Sequence, residues 1–292
     1  MTIKDRARRW RCQDHIYTFD ETEALIMGIL NVTPDSFSDG GTHNHLTDAL
    51  AWARQMRDEG ADIIDVGGES TRPGFDETGV SLEEERARVL PVVEALAKEG
   101  FVVSVDTSKP EIMQESAQLG AKILNDIRGF TQPGAIEAAA QSGCGLVIMH
   151  RDDVKNRPDF LAAIEHFLRE QEAKLLAAGA DPETLCWDPG FGFGKTVEQN
   201  LTIMMETPRF VASGRPYLMG LSRKSSIGAC TGQTVPRERV VGSVAGALLS
   251  VERGAHIVRV HDCRETKEAI QVWQKARESQ RHLLEKGAID HG

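Results

Sequence analysis

The chain has 292 residues, 40% of them hydrophobic, 27% charged and 5% aromatic, which excludes a disordered or collagen-like protein and supplies apolar material for a full core. Its net charge of −10 argues against nucleic acid as a partner, because a phosphate backbone selects a basic surface. A small anionic ligand is still compatible: charges beyond about 8 Å are screened at physiological salt, so two or three local Arg or Lys groups decide at a pocket.

Taken in chain order, short apolar runs occupy 24–30, 61–66, 101–105, 121–124, 145–149, 184–187, 217–221 and 256–260. They are almost uninterrupted, as expected of parallel strands buried on both faces. Helical segments lie between them. Ser81-Leu-Glu-Glu84 and Ser108-Lys-Pro-Glu111 match the capping box, in which hydroxyl and carboxylate satisfy the unpaired N–H groups of a helix start. Gly60, Gly100, Gly120 and Gly143 stand where helices should stop. Val89, Val92, Val93 and Leu96 form an apolar stripe for packing, and Pro91 within that segment is expected to kink it.

Eight strand–helix repeats predict an α/β fold, a single TIM (β/α)8 barrel at 24–277. A short extension at 1–23 is expected to cover the barrel bottom, and 278–292 reads as a helical tail. Each apolar run ends in polar or ionisable residues: Asn31, Gly67-Gly68-Glu69, Asp106, Asn125-Asp126, His150, Asp188, Ser222-Arg-Lys224, and Arg259 with His261-Asp262. Singly each is as well explained by a cap or a solvated loop. In a parallel barrel, however, all eight ends converge on one rim, the rim that carries active sites in this fold.

Asp106, Asn125 and Asp188 offer acceptors plus one amide, a set that complements a flat heterocycle with a guanine-like edge. From spacing alone a metal site or acid/base catalysis fits as well. The cations after the seventh and eighth runs, Ser222-Arg-Lys-Ser225 and Arg259-Val-His261, occupy the two loops that most often build a phosphate site here, so an anionic leaving group is expected. The segment Gly190-Phe-Gly-Phe-Gly-Lys-Thr196 is no P-loop, since only three residues separate its first Gly from the Gly-Lys pair. Its glycines permit a tight turn, leaving Phe191 or Phe193 to pack on an aromatic ligand. The loops at 31–41 and 67–74 are rich in turn residues and suited to closing over a reaction.

Seven segments together carry a resemblance. They are Met27-Gly-Ile-Leu-Asn-Val-Thr-Pro-Asp-Ser-Phe-Ser-Asp-Gly-Gly41, Ile64-Asp-Val-Gly-Gly-Glu-Ser-Thr-Arg-Pro-Gly74, Ser104-Val-Asp-Thr-Ser-Lys-Pro110, Asn125-Asp-Ile127, Asp188-Pro-Gly-Phe-Gly-Phe-Gly-Lys195, Ser222-Arg-Lys-Ser225 and Arg259-Val-His261. In order and content the chain resembles the bacterial dihydropteroate synthase family, pterin-binding barrels that join para-aminobenzoate to hydroxymethyl-dihydropterin pyrophosphate. The resemblance implies that Asp106, Asp188 and Lys224 are catalytic. Asp106, Asn125, Asp188 and Lys224 would hold the pterin, with Ile127, Met149, Phe193 and Gly220 lining its slot. Asn31 would bind Mg2+. Asn31, Arg72, Arg259 and His261 would grip the pyrophosphate, while Phe37, Thr71, Pro73, Phe193, Lys224 and Ser225 would frame the aminobenzoate. A homodimer is implied too. The segment Arg151-Asp-Asp-Val-Lys-Asn-Arg-Pro158 is shorter than the family's usual loop, which puts lid contacts there in doubt.

Two other functions share the barrel. A pterin-dependent methyltransferase needs the ring slot but no pyrophosphate grip, so the Asn31 loop and the two cationic loops favour the synthase. A non-catalytic pterin-binding paralogue is opposed by the intact loop set. No apolar run approaches the roughly 18 residues that cross a bilayer, and the basic stretch at 1–10 has no apolar sequel, so neither a membrane span nor a secretory signal is expected. Five scattered cysteines without a Cys-x-x-Cys pair argue against disulfides and zinc ribbons and point to a cytoplasmic protein.

Overall fold

The computed structural model describes residues 8–20, 22–33, 42–69 and 79–285. A hairpin of β1 (Arg8–Cys12) and β2 (His15–Phe19) precedes eight parallel strands: β3 (Leu25–Asn31), β4 (Ile63–Gly67), β5 (Val103–Asp106), β6 (Ile123–Asp126), β7 (Gly145–Met149), β8 (Leu185–Asp188), β9 (Leu218–Met219) and β10 (Ile257–Val260). The sheet order is β8-β7-β6-β5-β4-β3-β10-β9. Its two edges meet through a parallel bridge of Trp187 to Tyr217, where Trp187 N–H donates to the Pro216 carbonyl at 3.0 Å. The result is a (β/α)8 barrel, as the eight apolar runs predict.

The helices outside are α1 (Thr42–Asp58), α2 (Leu82–Lys98), α3 (Pro110–Gln118), α4 (Ala135–Ser142), α5 (Phe160–Ala177), α6 (Val197–Met205), α7 (Thr207–Val211), α8 (Ser225–Thr231), α9 (Val240–Glu252) and α10 (Cys263–Glu285). Ser81 caps α2 by accepting from Glu84 N–H at 3.2 Å. The second expected capping box does not form: Lys109 is the N-cap of α3, and the Ser108 hydroxyl instead donates to Asp126 at 2.5 Å. A buried carboxylate is the stronger acceptor, and it outcompetes the local cap. A complete box appears where none was expected, between Thr196 and Gln199 at the start of α6. Pro91 lies inside α2, which runs on through it. Both Pro91 and Ala87, whose carbonyl loses its usual N–H partner, are on the exposed face, where water satisfies that carbonyl.

Strand alternation sorts the core into layers. Ile64, Val66, Val103, Val105 and Val258 face outward and pack with α1, α2, α9 and α10. Leu124, Leu146, Ile148, Trp187 and Met219 do the same against α4 to α7. The inward set Met27, Ile63, Ile123, Val147, Cys186, Leu218 and Ile257 forms an apolar floor together with Trp10 of the hairpin. Trp10 is wholly buried and its indole N–H donates to the Thr184 carbonyl at 2.8 Å.

Candidate active site

Because side chains alternate along a strand, the residue two positions beyond each floor residue also faces inward, nearer the carboxyl rim. Those residues are Ile29, Asp65, Asn125, Met149, Asp188, Gly220 and Arg259. Asp106 joins them from β5, where it is the register partner of Asn125. Asp65, Asp106, Asn125, Met149 and Asp188 are all buried. One further step outward come Asn31, Gly67 and Ile127. Asn31 pairs with Gly67 and Gly67 with Asp106 in the strand register. A Cβ on Gly67 would stand 3.8 Å from both Asn31 Oδ1 and Asp106 Oδ2, so the glycine leaves open the space between those oxygens.

The charges are interlocked. Arg259 Nε donates to Asp65 Oδ2 at 2.6 Å and Arg259 Nη2 to Asp106 Oδ2 at 2.8 Å. The sequence reading assigns Asp106 to the ring and Arg259 to the diphosphate as separate groups; here they are one ion pair. Burial pushes Asp106 up to about 7, with Arg259 opposing and Asp65 adding to the shift. Burial works against the Arg259 charge, but Asp65 and Asp106 outweigh it and hold the guanidinium more firmly protonated than usual. Asp188 is also raised by burial, against the pull of Lys224, and it accepts from Gly190 N–H at 2.7 Å. Lys224 is pushed down to about 8 by burial, with Asp188 opposing. Its ammonium donates to the Phe191 carbonyl and lies 4.5 Å from the centre of the Phe193 ring.

The loop after β8 is held from behind. Gly190 has φ +71°, and a Cβ there would meet the His150 carbonyl oxygen at 1.7 Å; only glycine fits. The buried Lys195 reaches His150 Nδ1 at 3.1 Å and the Phe193 carbonyl at 2.8 Å. Burial lowers Lys195 to about 7, with Asp188 opposing, and lowers His150 to about 3, with Lys195 reinforcing. Val154 N–H donates to the Gly194 carbonyl at 2.8 Å and Gln199 Nε2 to the Val154 carbonyl at 2.9 Å, so the short segment after His150 is fastened to this loop. Of the two candidate aromatics, Phe191 is buried in the core; Phe193 is half-buried beside Lys224.

The two cationic loops divide their labour. Arg223 is consumed by Asp262, donating to it through Nε at 3.0 Å and also through Nη2. Ser222 Oγ lies 3.0 Å from His261 Nδ1 and accepts from His261 N–H at 3.2 Å, which fixes the imidazole at the rim. Ser225 is exposed at the start of α8. Phe37, Thr71, Arg72 and Pro73 lie outside the described residues.

Sequence reasoning missed a role for Asp65 and the pairings of Ser222 with His261 and of Lys195 with His150. Asp65 carried a signal: a lone acid inside Ile63-Ile64-Asp-Val66 is almost never buried without a partner. Taken together, the buried carboxylates of Asp65, Asp106 and Asp188 stand with Arg259 and Lys224 at the carboxyl end of the barrel, a group rich in hydrogen-bond acceptors.

The chain matches the family described as "Pterin binding enzyme" over residues 27–261. It is 48% identical over 276 residues to dihydropteroate synthase of Escherichia coli K12, covering 91% of this chain and 97% of that protein. Dihydropteroate synthase of Bacillus subtilis is 41% identical over 272 residues, 92% of each chain. Among solved structures, Xanthomonas albilineans dihydropteroate synthase with 4-aminobenzoic acid superposes with a TM-score of 0.87 at 44% identity, covering 93% of this chain and 98% of the other. The Burkholderia cenocepacia enzyme complexed with 7,8-dihydropteroate gives 0.86 at 42% identity, covering 94% and 99%. The chain therefore belongs to the pterin-binding enzyme family and, within it, to the dihydropteroate synthases.

Proposed function

We propose that this chain joins para-aminobenzoate to hydroxymethyl-dihydropterin pyrophosphate, forming dihydropteroate and releasing pyrophosphate. The observation that carries the reading is the interlocked group at the barrel's carboxyl end, where buried acceptors on Asp106, Asn125 and Asp188 stand beside Arg259 and Lys224. Relatives solved with 4-aminobenzoic acid and with 7,8-dihydropteroate support it.

Asp106, Asn125 and Asp188 accept from the N–H groups of the pterin, and Lys224 donates to it. Ile127, Met149, Gly220 and Phe193 line the flat slot. The bond from the pterin methylene to the diphosphate breaks first, its electron pair leaving with pyrophosphate, and the cation left on the ring is stabilised by the carboxylates of Asp106 and Asp188. Arg259 is already bound to Asp106, so developing charge pulls on both ends of one ion pair: the ring draws Asp106 and the diphosphate draws Arg259. His261 and Arg72 complete the anion grip. The aminobenzoate, framed by Phe37, Thr71, Pro73 and Ser225 with Phe193 and Lys224, attacks through a nitrogen that is neutral at pH 7. That nitrogen loses a proton to solvent once the C–N bond has formed.

Asn31 fits a magnesium ion. It offers a neutral amide oxygen beside the gap that Gly67 leaves toward Asp106, and Mg2+ is commonly held by few protein oxygens together with substrate phosphates and water. When bound, the ion supplies charge neutralisation to the diphosphate oxygens.

A homodimer is part of this reading. On α9, Val241, Ala245 and Leu249 are exposed in a stripe at four-residue spacing, and Val241 is 82% exposed. A second copy would cover this face. No helix among the described residues is long and apolar enough to cross a membrane. The five free cysteines, four of them buried, accord with the expected cytoplasmic location.

The deciding experiment is pyrophosphate release with the pterin substrate, omitting para-aminobenzoate or Mg2+ in turn. Turnover that needs every component supports the synthase. Pyrophosphate released without dihydropteroate being formed, or no turnover with all components present, overturns it.

A further inference from the structure

Asp65 has no part in the reaction as written, yet it is wholly buried in the layer that holds the ring. One oxygen, Oδ2, accepts from Arg259 Nε at 2.6 Å and from Asn125 Nδ2 at 3.2 Å. The other, Oδ1, has no hydrogen-bond partner among the described residues. A carboxylate accepts and cannot donate, so the end of the Asn125 amide turned toward it must be the NH2 group. The Asn125 carbonyl is thereby turned away from Asp65. The two ends of an amide are nearly equal in size, so the hydrogen-bond partner, and not shape, chooses between them.

We propose that Asp65 is a positioning residue that fixes the donor–acceptor sense of Asn125, so that the cavity presents the ring with a carbonyl acceptor there. The pairing selects heterocycles that carry N–H or amine groups along that edge over those that carry a carbonyl. Sharing one oxygen also couples Asn125 to Arg259, and so ties the ring contact to the ion pair with Asp106. The inference rests on the pterin reading of this site, and it goes further by naming what sets the preference.

The test measures binding of 6-hydroxymethylpterin, and of its 2-oxo counterpart, to the full chain by calorimetry, with a melting temperature for every variant. Asn125→Asp sets two carboxylates face to face and should weaken pterin binding at least about tenfold, as expected for a buried acceptor left without a donor. Adding Asp65→Asn recreates the pair with donor and acceptor exchanged, and should recover binding to within about threefold of the starting protein. Asp65→Leu, of similar size but without an acceptor, should lower the ratio of pterin to 2-oxo affinity at least about tenfold.

A double variant that binds no better than Asn125→Asp overturns the proposal, as does an Asp65→Leu protein with an unchanged ratio. If the leucine variant does not fold, the exchanged pair decides alone. Should the unsubstituted chain bind no pterin, the functional reading fails. The pairing is then judged by melting temperature, expected to drop in Asn125→Asp and return in the double variant.

Discussion

The Lys224 ammonium lies over the Phe193 ring, 4.5 Å from its centre, and donates to the carbonyl of Phe191. One half-buried cation thus binds the loop after β8 and faces the ring slot at once. Lys224→Ala should lower kcat/KM about 100-fold, the size typical for removing one preorganised charge from a reacting site. Burial holds Lys224 at about 8, against an ordinary value of 10.5, so activity that needs its charge should fall as pH rises through about 8. Lys224→Arg should abolish that limb, since guanidinium keeps its proton. Unfolding is a separate matter. Between about 8 and 10.5 the unfolded chain binds more protons than the folded one at this position, so this group adds stability as pH rises. A loss of rate at pH 9 with no fall in melting temperature confirms the assignment.

Asp106→Asn removes a charge while keeping the shape, and leaves Arg259 paired with Asp65 alone. Turnover should drop by about two to three orders of magnitude, read by pyrophosphate release. The melting temperature should not fall at neutral pH, because burial raises this carboxyl to about 7, so the folded chain binds more protons than the unfolded one there and the group lowers stability as pH rises toward 7. Normal turnover would remove the carboxylate from the mechanism.

Acid should destabilise the fold through two histidines. Burial lowers both His150 and His256 from 6.5 to about 3. Between those values the unfolded chain binds more protons, so stability is lost as pH falls below 6.5. At pH 5 each histidine contributes a loss of roughly 2 kcal/mol. His256→Gln should flatten the fall in melting temperature between pH 7 and 5, and an unchanged slope would show that His256 carries none of it.

Two glycines with similar backbone angles should differ sharply. Gly190 has φ +71° and a backbone oxygen 1.7 Å from any added Cβ; Gly100 has φ +79° and nothing within 4 Å. Gly100→Ala should cost about 1 kcal/mol, the strain of the left-handed region alone. Gly190→Ala should cost upward of about 3 kcal/mol and carry Asp188 out of place. Urea unfolding of the two variants side by side measures the difference.

Chelation with EDTA should suppress pyrophosphate release and added Mg2+ should restore it, with Asn31→Ala raising the concentration required about tenfold. An Asn31→Ala protein with an unaltered magnesium requirement would place the ion elsewhere.

Much of the barrel was legible because burial on both faces leaves an uninterrupted apolar run, and all eight runs coincide with strands to within a few residues. The seventh is the weakest match, five apolar residues yielding only Leu218–Met219, since Tyr217 is spent on the closing bridge to Trp187. The helix-stopping glycines were equally plain: Gly60, Gly100, Gly120 and Gly143 all have positive φ. Pairings were not legible. Nothing in the order of residues says that Ser108 prefers Asp126 to its own helix, or that Arg259 spends its guanidinium on Asp65 and Asp106. Both depend on which strand lies next to which. Asp65 itself was visible as a lone acid in an apolar strand, but its partners sit 60 and 194 positions away.

The two-residue step that separates floor from site limits how this protein can change. Lengthening a barrel strand by a single residue below the rim would turn its acid or cation out beneath the helices and bring a valine or leucine into the cavity in its place. Insertions and deletions are therefore confined to the loops, and new ring preferences must arise by exchanging side chains at fixed strand positions.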